Sequence, residues 1–71
     1  MKTSEMLKDL ATWCDEVIIR FNNTYKWTGL IILKDGFSAN WQETNYEELV
    51  KRLWHMGKIR TMKITATQYG I

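Results

Sequence analysis

Asp35-Gly36 separates two strand-like runs, residues 25–33 and 37–42. Asp-Gly between apolar runs is a strong short-range signal for a two-residue β-hairpin, because glycine enters the positive-φ half of the backbone map without a Cβ clash. An earlier strand is predicted over residues 16–21, where Val17-Ile18-Ile19 is β-branched throughout, and Asn22-Asn23-Thr24 then marks a turn. Strands joined by tight turns pair antiparallel, so the middle of the chain reads as a three-stranded meander.

A helix is predicted on either side of it. Thr3-Ser4 is placed to cap the first, which puts Met6, Leu7, Leu10, Ala11 and Cys14 on one face and stops near Asp15. Thr44-Asn45 opens the second, with Glu47 or Glu48 three residues on as the other half of a capping box. Tyr46, Leu49, Val50, Leu53 and Trp54 form its apolar stripe, and Gly57 stands where a left-handed C-cap is wanted. Residues 59–69 then alternate Met62, Ile64 and Ala66 with Thr61, Lys63, Thr65 and Thr67, which predicts a last strand. The expected fold is α+β, in the order α-β-β-β-α-β. It is a two-layer sandwich of two helices on an antiparallel three- to four-stranded sheet, one compact domain over residues 1–71.

Seventy-one residues give such a domain only a small core, so each large apolar side chain counts. A single cysteine rules out an internal disulfide framework and a cysteine cage for zinc, and a single histidine rules out multi-histidine metal sites. No basic stretch followed by an apolar one opens the chain, so no signal peptide is expected. The longest apolar run, Leu30-Ile31-Ile32-Leu33, is far short of the ~20 residues a membrane helix needs. A cytoplasmic protein with no membrane association and a reduced Cys14 is expected.

Catalytic chemistry finds little footing. His55 falls on the polar face of the second helix, where a solvated role beside the helix end is the simpler reading. Cys14, next to Asp15, has a neighbour that disfavours thiolate. Gly29, Gly36, Gly57 and Gly70 are isolated, so no phosphate-cradling loop exists. The expectation is a non-enzymatic protein with no cofactor and no bound metal.

The aromatic residues, 13% of the chain, carry the sharper signal. Trp54 and Tyr46 belong to a helix stripe, and Phe37 and Trp41 alternate with polar residues and are expected to face inward. The central strand differs. Tyr25, Trp27, Ile31 and Leu33 share one parity, and Leu30 and Ile32 share the other, so both of its faces are apolar. Two helices on one side cover only one face. The other is left to a helix on that side, to a second copy of the chain or to a different protein, and the last two are carried forward because contiguous exposed apolar surface marks contact sites. The sequence analysis assigns the contact to Tyr25, Trp27, Ile31 and Leu33, extended by Trp13, since Trp and Tyr are favoured at binding hot spots.

Ten Lys/Arg against eight Asp/Glu give a net charge of +2, and half of the cations follow Val50. Lys51, Arg52, His55, Lys58, Arg60 and Lys63 form a basic cluster that would suit phosphate contacts. The leading order α-β-β-β-α resembles that of the double-stranded-RNA-binding domain, which implies RNA binding. That family presents lysines at the start of its second helix. Here Tyr46-Glu47-Glu48 stands there, the wrong sign for phosphate.

The expected function is therefore a small protein-binding module that regulates or inhibits a larger partner by occupying its surface. Small blockers of host enzymes or defence complexes, encoded by phages and mobile elements, are one population of this kind. The alternative is a nucleic-acid-binding protein using the basic C-terminal third. Homodimerisation across the sheet or along an edge strand is compatible with either.

Overall fold

A computed structural model describes residues 1–69, and side-chain surroundings as far as Met62. The order is α1 (Thr3–Trp13), β1 (Cys14–Asn22), β2 (Lys26–Leu33), β3 (Ser38–Glu43) and α2 (Tyr46–Tyr69). The three strands form one antiparallel sheet in the order β1-β2-β3, so the chain has an α+β fold of order α-β-β-β-α.

Both turns of the meander are locked by side chains. Asn22 Oδ1 accepts the backbone N–H groups of Thr24 at 2.9 Å and Tyr25 at 2.6 Å. Lys26 follows with φ 61°, left-handed backbone that a non-glycine residue adopts only where a tight turn demands it. β2 therefore starts at Lys26, which leaves Tyr25 in the turn. In the second turn Leu33 N–H donates to Phe37 O at 2.8 Å and Gly36 N–H to Leu33 O at 2.9 Å. This encloses three loop residues, Lys34, Asp35 and Gly36, rather than the expected two. Gly36 takes φ 92°, the glycine position that completes a three-residue hairpin loop.

The helix starts differ from expectation by a residue or so. α1 is capped at Lys2, whose N–H reaches Glu5 Oε1 at 3.4 Å, so Thr3 is already helical and the Thr3-Ser4 cap is corrected. α2 is capped by Asn45, whose Oδ1 accepts from Glu47 at 2.9 Å and Glu48 at 3.2 Å. α1 runs straight into β1. Cys14 turns extended (φ −110°, ψ 147°) while its N–H still bonds Leu10 O, because the β-branched run just ahead favours the strand. Cys14 thus enters the core from the head of β1, not from the stripe of α1.

The last expected element is wrong. Residues 59–69 belong to α2, which is 24 residues long, and no fourth strand exists among the described residues. Gly57 does not cap the helix but lies buried within it. A Cβ there would stand 3.1 Å from Trp13 Cε3 and 3.3 Å from Leu10 Cδ2, so the glycine is what lets α1 cross closely. With no proline in the chain, a well-capped helix propagates cheaply past a single glycine.

Leu10, Cys14, Ile31, Leu33, Leu49 and Leu53 form the core, so both helices cover the same face of the sheet. Gly29 serves α2 as Gly57 serves α1. A Cβ on it would fall 2.6 Å from Leu53 Cδ1 and 3.3 Å from both Leu49 methyls.

A candidate protein-docking face

Strand parity and register decide what the helix-free face presents. Cross-strand partners share a side, and the pairings give three rows. Ile18 lies beside Leu30 and Leu30 beside Asn40, Arg20 beside Thr28 and Thr28 beside Gln42, and Glu16 beside Ile32 and Ile32 beside Ser38. Ile18, Leu30 and Ile32 are half-buried and adjoin one another, while Glu16, Arg20, Ser38, Asn40 and Gln42 are exposed around them. An open trough of about 370 Å³ runs over Ile18, Leu30 and Thr28 between Arg20 and Gln42, lined by strand residues alone.

The residues expected to form the contact are placed elsewhere. Ile31 is fully buried and Leu33 is 3% exposed, both in the core beneath the helices, which corrects their assignment to a partner surface. Trp27 is half-buried on the same side, between Phe21 at 5.1 Å and Tyr46 at 5.0 Å. Trp13 packs in the seam between the helices, 6.2 Å from Trp54. Tyr25 is exposed but sits in the β1–β2 turn. The five therefore form no single surface. The helices cover the parity with the larger side chains, since that parity offers more area to bury, and the apolar face left over is that of Leu30 and Ile32. Ile18 was missed because nothing in the sequence alone fixes which β1 residue stands beside Leu30.

Phe37 and Trp41 were expected inside and are 37% and 43% exposed. Trp41 is on the helix side but on an edge strand, with the Arg52 guanidinium 5.8 Å from its ring centre and its own Nε1–H donating to Glu43 Oε2 at 2.7 Å. Arg60 lies 4.9 Å from the Phe37 ring centre.

These contacts divide the basic cluster. Arg52 pairs with Glu43 at 3.8 Å, and Arg60 pairs with Asp35 at 3.1 Å. The Phe37 N–H, and then Arg60, hold the Asp35 carboxyl below its ordinary range despite some opposing desolvation. Lys51, His55 and Lys58 share another stripe of α2, where the Lys58 ammonium sits 4.7 Å over Trp54 and His55 meets the same ring edge-on at 5.2 Å. Trp54 is tied to α1 by its Nε1–H, which donates to Asp9 Oδ2 at 2.9 Å. The Lys63 side chain lies outside the described residues.

The candidate chemical groups are equally dispersed. Burial, and then the charge of Asp15, push the Cys14 thiol above its ordinary pKa. Among the described residues no three His, Cys, Asp or Glu side chains are grouped to hold a metal ion, and no helix is long and apolar enough to cross a membrane. Comparison with known protein families, curated proteins and solved structures finds no match for this chain.

Proposed function

We propose that this chain is a non-enzymatic, cytoplasmic protein-binding module that regulates or inhibits a larger partner by covering part of its surface with the open face of the sheet. The observation that carries this reading is the apolar group of Ile18, Leu30 and Ile32 at the centre of a helix-free face, ringed by Glu16, Arg20, Asn40 and Gln42. An apolar centre inside a polar rim is the anatomy of a protein interface. The basic cluster supports nucleic-acid binding less well, because Arg52 and Arg60 are already spent on carboxylates and rings within the chain.

The test is capture from host extract with immobilised wild-type protein, Leu30→Lys, and Lys51→Ala as a surface control. A discrete set of proteins retained by wild type and Lys51→Ala and lost with a folded Leu30→Lys supports the reading. Adding purified wild-type protein to the retained partner then measures any inhibition. Identical capture by all three baits refutes it.

A further inference from the structure

We propose that β1 is a pairing edge for a second copy of this chain, the two β1 strands running antiparallel with Ile18 opposite Ile18 to make one six-stranded sheet. β1 is the longest strand and stands at the edge of the sheet. The backbone bonding follows from the hairpin. Leu33 bonds Phe37, so the odd-numbered residues of β2 bond β3 and the even-numbered ones bond β1. Ile18 and Arg20 therefore spend their N–H and C=O groups on Leu30 and Thr28, while Val17, Ile19 and Phe21 direct theirs outward. β1 contains neither proline nor lysine. Its irregular register between Cys14 and Glu16 lies at the strand's head, and Val17-Ile18-Ile19 forms a regular, uncharged stretch at its middle, flanked by the charged Glu16 and Arg20.

The occupant is identified by charge. Glu16 and Arg20 lie two residues either side of Ile18 and on the same face. Antiparallel pairing centred on Ile18 puts Glu16 of each copy opposite Arg20 of the other, at non-hydrogen-bonded positions where facing side chains come closest. Val17 then faces Ile19 on the helix side. The backbone allows other registers, but moving the centre to Val17 or Ile19 leaves both charges facing uncharged residues. Moving it to Glu16 or Arg20 sets like charges face to face. Only the Ile18 register satisfies both pairs. It also joins Leu30 and Ile18 of one copy to Ile18 and Leu30 of the other in one row, doubling the apolar centre of the open face.

This pairing stands independently of the docking reading and is tested on the isolated full chain. Sedimentation from micromolar to millimolar concentration should show a reversible monomer–dimer equilibrium. Arg20→Glu and Glu16→Arg, at exposed positions, should each weaken it about tenfold or more, since two pairs per dimer turn repulsive. Glu16→Arg/Arg20→Glu should restore it. Amide exchange should show the Val17 and Ile19 N–H groups becoming protected as the dimer forms. A monomer at all concentrations overturns the proposal, as does a dimer indifferent to the single charge changes. A dimer that is lost with folded Leu30→Lys but kept with Arg20→Glu would mean that copies stack through their open faces instead.

Discussion

Gly29 shows how much one residue decides here. It has no side chain in the middle of the central strand, and the space a Cβ would take is filled by Leu53 and Leu49, both fully buried. Gly29→Ala should cost about 1–3 kcal/mol, the usual penalty for overfilling a close-packed core. A domain of this size has roughly 4–10 kcal/mol in total, so the loss would be plain in urea unfolding. A neutral or stabilising Gly29→Ala would mean that α2 does not rest on the strand at that point. Cys14 illustrates the same dependence on surroundings. Its sequence position suggested an inert buried thiol, and the structure buries it, yet at the head of a strand rather than on a helix.

At the scale of elements, both turns and the start of α2 were legible from residues that act within a few positions of themselves, Asp35-Gly36, Asn22-Asn23-Thr24 and Asn45. Their finer geometry was not, since the hairpin loop holds three residues rather than two and α1 is capped at Lys2 rather than at Thr3-Ser4. The last element failed because its evidence was not local. Alternating Met62, Ile64 and Ala66 suits a strand, but a strand needs a neighbour, and the extension of α2 needs only the turn before it. Gly57 misled for a related reason, since its purpose is the approach of Trp13, more than forty residues away. The hairpin tip offers a check on local electrostatics. Asp35 has a lowered pKa in the fold, so its contribution to stability is present above its unfolded pKa and is lost as pH falls through the folded one. An NMR titration should find Asp35 below the ordinary aspartate range, and Arg60→Gln should raise it only in part, because the Phe37 N–H is the larger influence. A complete return to the ordinary value in Arg60→Gln would assign the effect to the ion pair instead.

At the scale of the molecule, the sequence disclosed that the central strand is apolar on both faces and that two helices on one side cover only one. It did not disclose which. Parity sorts β2 into Trp27, Ile31 and Leu33 against Leu30 and Ile32, but the choice between faces depends on how the helices seat, and that turns on Gly29 and Gly57. The candidate contact residues consequently exchanged places with part of the core. Adjacent positions on one strand now carry opposite duties, Ile31 holding the fold together and Leu30 facing outward. Threonine keeps strand propensity while removing apolar bulk, so urea unfolding of Ile31→Thr and Leu30→Thr separates them. Ile31→Thr should lose about 2–4 kcal/mol through a cavity and a buried hydroxyl, and Leu30→Thr less than about 1 kcal/mol. Equal losses at the two positions would mean that the protein encloses both faces by itself, leaving no apolar surface for a partner.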